Sequence, residues 1–374
     1  MRLLMTYHGE FETDSGACGS MVMIGERLRE RGVEVDYFTF SDLPAGMDPR
    51  LKSIVFPFKL WQHVRTHDRW DAIDAATGDS WVFHVLGHSR NRPLVIVRSH
   101  GLEQLNHEAY IEYTARISWK YWFYWGGFVL WSVDTTLKGA DHVFVLNERE
   151  RDYVFEKFGR PCDGITVAYH FLPRHFQNLP PYTPPPDFRI LYVGSWLERK
   201  GIVYLCTALE ALIADGLDFS LTLAGLGTPE AAVRSALSDA LNQRTRVIPK
   251  IANADLPAIY RSHSVYVFPS LFEGYGKTLV EAIACGIPVI TTEAGIAPDF
   301  VGAAAPGQIV PYHDAEAIRR AIVRVYRDPD AALATANRVR DHLMAQPLDG
   351  RIDQRLALMQ SFKETRPHAR SGRL

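Results

Sequence analysis

The sequence of 374 residues has few cysteines and little net charge. Its four cysteines are scattered and form no C-x-x-C pair, so no zinc site or redox pair is expected, and the pattern is typical of reduced thiols in a cytosolic protein. The net charge is −2, without a long run of one sign. Because a general nucleic-acid binder needs a basic surface to neutralise phosphates, no nucleic-acid partner is predicted.

Long apolar runs are also missing. The N-terminal stretch MRLLMTYHGE has no long apolar region and predicts a first strand, not a signal peptide. The most apolar segment, residues 117–133 (ISWKYWFYWGGFVLWSV), is interrupted by Lys120 and a glycine pair. As a helix it would extend only about 25 Å, which is less than the roughly 30 Å hydrocarbon core of a bilayer. A transmembrane span is therefore not expected here.

The length favours two domains, and the 47% of hydrophobic residues suffices for two cores. Short apolar strands alternate with helical stretches in both halves, which predicts an α/β protein with two doubly wound, Rossmann-like parallel sheets. The predicted strands are 2–7, 33–40, 72–75, 94–99, 142–146, 165–169, 189–193, 220–224, 245–248, 265–269 and 287–292. The predicted helices include 20–31, 201–215, 230–242, 256–262 and 277–284.

A proline-rich stretch separates the two halves. Residues 178–188 (NLPPYTPPPDF) contain five prolines, which interrupt helices and central strands, so this stretch is the predicted flexible linker. The predicted domains are 1–177 and 189–350, followed at 351–374 by a C-terminal helix that is expected to pack back on the N-terminal domain and by a polar tail. Because open α/β sheets bind ligands beyond the carboxyl ends of their strands, the expected site is a central cleft between the domains.

The segment LFEGYGKTLVEAIACGIPVITTEAG, residues 271–295, contains the strongest functional pattern. Glu273 precedes a Gly-Tyr-Gly turn, and Glu281 lies in the helix that follows. The glycines let a ligand approach the backbone, and the first N–H groups of the helix form an anion site suited to a diphosphate. One carboxylate on each side of such a turn suits recognition of sugar and ribose hydroxyls. The alternative for Glu281 is a capping box with Thr278.

The run from Glu273 to Ala282, followed by Cys285-Gly-Ile-Pro-Val, resembles the donor-site signature of retaining GT-B glycosyltransferases of family four, the glycosyl transferases group 1. The stretches ILYVGSWLERKG (190–201), LTLAGLG (221–227), VIPKI (247–251) and ADHVFVLNERERDYVFEKFG (140–159) follow the family's order over nearly the whole chain. The resemblance implies an acceptor-side N-terminal domain and a nucleotide-sugar-binding C-terminal domain. It also implies transfer of a sugar to a hydroxyl with retention, without a metal ion or cofactor.

The same resemblance assigns residues. It implies that Glu281 binds the ribose and that Glu273 lies beside the transferred sugar. The implied catalytic residues are Glu273, His100 and Lys200. The implied donor-binding residues are Gly16, Gly19, Gly194, Ser195, Arg199, Lys200, Lys250, Ile251, Gly274, Tyr275, Gly276, Lys277, Thr278 and Glu281.

Several assignments stay open. Where the family has a Gly-Arg pair, this chain has Gly194-Ser195, and Arg199 either substitutes for that arginine or lies on the surface. Lys277 either contacts the diphosphate or is solvated. His84 is the rival of His100. The pair Arg98 and Lys120 either contacts an anionic acceptor or lies on the surface.

The donor expected first is a UDP-sugar, then GDP-mannose, and the acceptor is a glycan, a lipid-linked glycan or a small molecule, as in cell-envelope or exopolysaccharide synthesis. The chain is expected to be a monomer or homodimer. A non-catalytic nucleotide-sugar-binding module is an alternative, because Ser195 replaces the usual arginine. A sugar-nucleotide epimerase is a second. An NAD-dependent dehydrogenase is a third, suggested by Gly16-x-x-Gly19 with Asp36 about 20 residues on.

Tryptophan and tyrosine crowd the stretch from Trp119 to Trp131. Their apolar rings with polar edges favour a membrane interface, so this stretch predicts a peripheral contact with the inner face of a membrane, where it would guide a lipid-linked acceptor. A helix packed in the N-terminal core and a dimer contact are the alternatives.

Overall fold

The structure, a computed structural model, describes residues 1–12, 16–67, 70–87, 92–114 and 117–365. The chain divides into two compact units. The first contains Met1–His107, Ala115–Phe171 and Leu348–Leu374, and the second contains Glu108–Thr114 and Leu172–Pro347. The predicted domain boundaries at 177, 188 and 350 stay a prediction.

The first unit is built on six parallel strands in the order β2-β1-β3-β4-β5-β6. These strands are β1 Arg2–Tyr7, β2 Glu34–Thr39, β3 Ala72–Ala76, β4 Leu94–Arg98, β5 His142–Val145 and β6 Ile165–Val167. The helices are Gly16–Arg29, Pro49–Thr66, Trp81–Val85, Trp119–Tyr121, Leu130–Gly139, Glu148–Phe158 and Ile352–Thr365, with a π-helix at Trp122–Val129. The helix Glu103–Tyr113 begins in the first unit, and its residues from Glu108 onward belong to the second. Strands β3, β4 and β5 are buried along their whole length, as expected of a sheet covered on both faces.

The second unit is built on five parallel strands in the order β11-β10-β7-β8-β9. These strands are β7 Arg189–Val193, β8 Ser220–Ala224, β9 Thr245–Ile248, β10 Val265–Phe268 and β11 Val289–Thr291. The helices are Ile202–Ala214, Glu230–Ser235, Asp239–Asn242, Leu256–Arg261, Lys277–Cys285, Ala315–Arg327 and Pro329–Met344, with a π-helix at Pro298–Gly302. Two doubly wound parallel sheets confirm the predicted α/β fold class.

Three local predictions need correction. The predicted helix 230–242 is two helices, because the side chain of Ser238 caps a new helix by accepting a hydrogen bond from the Leu241 N–H. The predicted strand 287–292 shortens to Val289–Thr291, directly after a proline. The first helix begins at Gly16, four residues earlier than predicted, so Gly16 and Gly19 lie in its first turn and not in the preceding loop.

The proline-rich stretch is anchored to the second unit. Tyr182 is buried, and its hydroxyl donates a hydrogen bond to the carbonyl of His263 at 2.5 Å. The Arg261 guanidinium donates to the carbonyls of Pro180 and Pro181 at 3.0 and 2.9 Å. Because proline has no N–H, these carbonyls need outside donors, and Arg261 supplies them. This part of the predicted linker is therefore held in place, contrary to the expectation of a flexible link.

The C-terminal helix Ile352–Thr365 completes the core of the first unit. Its Arg355 and Arg98 of β4 both donate hydrogen bonds to the carboxylate of Asp74 in β3. These side chains are at most 2% exposed. Burial lowers the pKa of Arg355 to about 10, although the Asp74 charge opposes this shift. Arg98 therefore neither lies on the surface nor reaches an acceptor, contrary to both expectations.

The aromatic segment is not part of the core. None of the residues 117–131 is buried, and the side chains of Trp119 and Phe123 are 74% and 78% exposed. This excludes the interpretation of a core helix. Across the described part of the chain, every helix is too short or too polar to cross a bilayer.

Candidate functional site

The loops that follow β7 and β10 meet at the carboxyl edge of the second sheet, because these strands are neighbours and run parallel. Gly201 allows these two loops to approach each other closely. Its φ is +67°, and a Cβ atom there would lie 1.9 Å from the carbonyl oxygen of Pro269. The Leu271 N–H donates to the carbonyl of Arg199 at 2.8 Å. This packing brings the basic pair Arg199–Lys200 against the loop that contains Glu273.

Glu273 and Lys200 form the centre of this edge. The Lys200 Nζ lies 2.5 Å from Oε1 of Glu273, and the side chains are only 14% and 9% exposed. Ser270 donates its hydroxyl to the same oxygen at 2.8 Å. The Nη1 atom of Arg199 lies 3.7 Å from Oε2 of Glu273. Two cations and one carboxylate are therefore brought together, and Ser270 is a further partner that sequence reasoning missed.

Gly201 provides a direct test of this arrangement. We expect Gly201→Ala to destabilise the second unit by about 3 kcal/mol or more. The new Cβ overlaps the Pro269 carbonyl, and alanine must also adopt the left-handed backbone conformation at this position. Gly216 is a matched control, since its φ is +79° and nothing lies within 4 Å of a Cβ there. Gly216→Ala is expected to cost about 1 kcal/mol. Equal losses for the two variants in urea unfolding would contradict the clash.

The helix Lys277–Cys285 begins at Gly276, whose φ of +93° requires glycine. Thr278 lies inside the first turn, where its hydroxyl accepts a hydrogen bond from Tyr266 at 2.9 Å. No side chain caps this helix start. The capping-box interpretation of Glu281 is therefore wrong, because the residue at the N-cap is Gly276 and not Thr278.

Glu281 lies one turn further along, on the same helix. Its Oε2 accepts a hydrogen bond from the Tyr260 hydroxyl at 3.1 Å. Burial raises the pKa of Glu281 to about 7, although the Tyr260 hydrogen bond and the charge of Lys277 oppose this shift. Burial likewise lowers the pKa of Lys277. A carboxylate that is held in a poorly solvated place interacts strongly with a ligand hydroxyl.

This shift predicts how stability depends on pH. The folded protein favours protonated Glu281, so its stabilising contribution is complete below the ordinary pKa of 4.5 and is lost as the pH rises through about 7. We expect Glu281→Gln, which cannot ionise, to gain about 1–3 kcal/mol relative to the wild type between pH 5 and pH 8. Glu210→Gln, on an exposed helix position, is the control. A pH-independent difference for Glu281→Gln would refute the raised pKa.

Gly295 closes the turn from the other side. Its φ is +62°, and a Cβ there would lie 2.4 Å from the carbonyl oxygen of Tyr275. The Ile296 N–H donates to that carbonyl at 2.9 Å. The Gly274–Gly276 backbone is thus supported by a loop after β11, and the only sequence signal for it was a glycine after Glu293-Ala294.

The remaining predicted donor-binding residues of the second unit lie at the same edge of the second sheet. Ser195 follows β7, and its carbonyl accepts a hydrogen bond from the Tyr192 hydroxyl at 3.0 Å. Gly194 has a φ of +156°. Lys250 and Ile251 follow β9, which is separated from β7 by β8. These two residues therefore belong to the same edge but not to the Glu273–Lys200 cluster.

In the first unit, His100 follows β4 and packs edge-on against the ring of Tyr7, with 5.6 Å between ring centres. The structure adds His8, which sequence reasoning missed. Its Nδ1 lies 2.8 Å from Oδ1 of the buried Asp79, whose Oδ2 accepts from Thr6 at 2.6 Å. Burial alone would lower the pKa of His8, but the charge and hydrogen bond of Asp79 raise it to about 9.

Other candidates in the first unit are placed differently. The rival His84 lies on helix Trp81–Val85, where its Nε2 is 3.4 Å from the Ser80 hydroxyl. Gly16 starts the first helix, and a Cβ there would have no neighbour within 4 Å. Within the described ranges, no group of three or more His, Cys, Asp or Glu side chains is placed to hold a metal ion.

Two families match the two halves of the chain. Glycosyl transferases group 1 matches residues 180–342, and the glycosyl transferase 4-like domain matches residues 16–169. Residues 180–342 thus belong to the glycosyl transferases group 1, and residues 16–169 to the glycosyl transferase 4-like domain. This confirms the resemblance stated from the motif around Glu273 and Glu281.

Similar proteins agree with this family. O-antigen chain mannosyltransferase B of Escherichia coli is 26% identical over 209 residues, which is 53% of this chain and 54% of that protein. The chain thus spans about half the length of this relative. Sucrose-phosphate synthase from Thermosynechococcus elongatus has a TM-score of 0.74 and 20% identity, over 97% of this chain and 100% of that chain. HepE of Anabaena in complex with UDP-glucose has a TM-score of 0.67 and 17% identity, over 96% and 99%. At these identities the structures show the fold alone, which is that of the GT-B glycosyltransferases.

Proposed function

We propose that this group 1 glycosyltransferase transfers a sugar from a nucleoside diphosphate sugar to a hydroxyl, with retention at the anomeric carbon. The observation that carries the proposal is the cluster of Lys200, Arg199 and Glu273 beside the glycine turn, with Glu281 one helical turn away. Cations, helix N–H groups and carboxylates are the partners that a diphosphate, a sugar and a ribose require.

In this proposal the leaving diphosphate is stabilised by the second unit. One N–H of the Lys200 ammonium group donates to Glu273, and its other N–H groups can donate to phosphate oxygens. The first N–H groups of helix Lys277–Cys285 carry partial positive charge and add to this stabilisation. Negative charge that develops on the diphosphate is thus met by Lys200, Arg199 and the helix start, and no metal ion is required.

The two glutamates take different hydroxyls. Glu281, anchored by Tyr260, accepts hydrogen bonds from the ribose, and Glu273, anchored by Ser270 and Lys200, accepts from the transferred sugar. His100 is proposed to lie by the reacting sugar. For retention, the acceptor hydroxyl attacks from the side of the leaving group, and the diphosphate oxygen takes its proton. The new glycosidic bond forms as the bond to the diphosphate breaks.

A UDP-sugar is the donor we favour, and the structure of HepE with UDP-glucose supports this choice. GDP-mannose comes next, since the E. coli relative is named a mannosyltransferase. The proposed acceptor is a glycan, lipid-linked or free, in cell-envelope or exopolysaccharide synthesis. The proposed location is cytoplasmic, peripheral on the inner face of the membrane, with the chain a monomer or homodimer.

The test is binding followed by turnover. Because a ligand that binds only the folded state stabilises it, we expect UDP-glucose or GDP-mannose to raise the melting temperature, and NADH to leave it unchanged. Glu281→Ala should weaken binding of the nucleotide sugar about tenfold or more, because it removes the hydrogen bonds that the partly buried Glu281 carboxyl group accepts from the ribose. The exposed Glu210→Ala is the control.

Release of the nucleoside diphosphate that an acceptor accelerates supports the transferase. Tight binding without release would instead favour the non-catalytic module, which Ser195 in place of arginine still suggests. If no nucleotide sugar changes the melting temperature, or if Glu281→Ala binds as the wild type does, the proposed donor site is wrong.

A further inference from the structure

Exposed large apolar side chains are concentrated in one region of the first unit. They belong to helix Pro49–Thr66, to the end of helix Trp81–Val85 and to the segment from Trp119 to Trp131. Leaving Trp119 and Phe123 about three-quarters exposed is costly for a protein in water, because each ring orders water over a large area. A contiguous patch of this kind marks an interaction surface.

Trp81 joins these segments into one surface. Its buried ring lies 5.1 Å from the ring of Phe58 and 5.0 Å from the ring of Trp131, measured between ring centres. It also lies 6.1 Å from the ring of Phe128 in the π-helix. The helix that contains Phe58 is therefore a direct neighbour of the aromatic segment.

Helix Pro49–Thr66 is apolar on two faces. Phe56 and Leu60 are buried in the core of the first unit. Leu51, Ile54 and Phe58, spaced three and four residues apart, share another face, and all three are exposed. A surface helix of a soluble protein ordinarily has one apolar face and polar residues opposite. Phe58 contacts Trp81, and the rest of this second apolar face is exposed in the described part of the first unit.

The charge of this helix points to the partner. It contains Arg50, Lys52, Lys59 and Arg65, and no acidic residue. Arg65 follows Phe58 by seven residues and continues the same face. Of these four basic residues, only Lys52 forms an ion pair with a carboxylate of the described residues, that of Glu10. The aromatic segment has one basic residue, Lys120, and further basic residues are supplied by this helix, which is far away in the sequence.

We propose that helix Pro49–Thr66 and the segment Trp119 to Trp131, together called the aromatic–basic surface, dock on an anionic lipid bilayer. Tryptophan and phenylalanine would enter the interface, and Arg50, Lys59 and Arg65 would meet lipid phosphates. Charge complementarity favours a lipid surface over a second copy of this chain, because two copies would oppose cation to cation. The inference does not depend on the transferase chemistry, since none of these residues belongs to the donor site.

The test is flotation of the full chain with vesicles. We expect binding to vesicles of phosphatidylcholine and phosphatidylglycerol, and at least tenfold weaker binding to phosphatidylcholine alone. The double variant Trp119→Ser/Phe123→Ser and the double variant Lys59→Gln/Arg65→Gln should each bind the mixed vesicles about tenfold more weakly. Phe155→Ser and Arg338→Gln alter exposed positions elsewhere and should bind as the wild type does.

Several outcomes would overturn the inference. One is that the wild type stays unbound with mixed vesicles, and another is that the two double variants bind as well as the wild type. A dimer that Trp119→Ser/Phe123→Ser dissociates, without vesicle binding, would assign the surface to a second copy. The melting shift with UDP-glucose is measured in the same variants. A double variant that loses vesicle binding but keeps the wild-type melting shift with UDP-glucose supports the aromatic–basic surface. If the wild type itself shows no melting shift with UDP-glucose, that result concerns only the proposed donor site.

Discussion

Lys200→Gln is expected to lower the rate of sugar transfer about 10²–10³-fold, the effect typical of removing one preorganised group that stabilises charge in a transition state. The glutamine keeps an N–H donor for Glu273 but has no positive charge for the diphosphate. The measurement is acceptor-stimulated release of the nucleoside diphosphate, with the melting temperature recorded in parallel.

The exposed Arg338→Gln is the control for loss of a positive charge in the same unit. Arg199→Gln should cost less than Lys200→Gln, because its Nη1 lies farther from Glu273, at 3.7 Å against 2.5 Å for the Lys200 Nζ. A Lys200→Gln enzyme that transfers sugar at the wild-type rate would show that Lys200 only neutralises Glu273.

Asp74→Ala is expected to destabilise the first unit by about 3–5 kcal/mol, because it leaves the guanidinium groups of Arg98 and Arg355 buried without their carboxylate. For a unit of this size such a loss corresponds to a melting temperature lower by about 10 °C. Since Arg355 belongs to the C-terminal helix, Ile352–Thr365 should also become sensitive to proteolysis before the rest of the unit.

Asp353→Ala is the matched control for this prediction. Asp353 lies on the same helix and pairs with Arg31 at 2.8 Å, but it is 81% exposed. An exposed ion pair contributes at most about 1 kcal/mol. If urea unfolding gave equal losses for Asp74→Ala and Asp353→Ala, the buried cluster would not support the C-terminal helix.

Much of the fold follows from local patterns. Strands 189–193, 220–224 and 245–248 were predicted with their final bounds, because short apolar runs between helical stretches indicate buried parallel strands. The neighbourhood of Lys200 and Glu273 follows from the same logic, since both come after strands of one parallel sheet. Local patterns therefore located the main features of the candidate site.

Contacts between distant residues gave no such signal. Tyr260 reaches Glu281 from a short helix, and nothing in the sequence around either residue indicates that contact. Arg355 donates a hydrogen bond to Asp74, although 281 positions separate the two residues in the sequence. The aromatic segment was compatible with a core helix, because composition alone does not tell which side chains a neighbouring element covers. Such features depend on tertiary packing, which spacing along the chain does not encode.

The central claim is that the Glu273–Glu281 element holds the nucleotide sugar. It is tested most directly by a crystal structure of the protein with the nucleotide sugar that raises its melting temperature most. We predict that ribose oxygens lie within hydrogen-bond distance of the Glu281 carboxylate and that diphosphate oxygens lie within that distance of Lys200 Nζ. A nucleotide bound elsewhere, with Glu281 still contacting only Tyr260, would contradict the account.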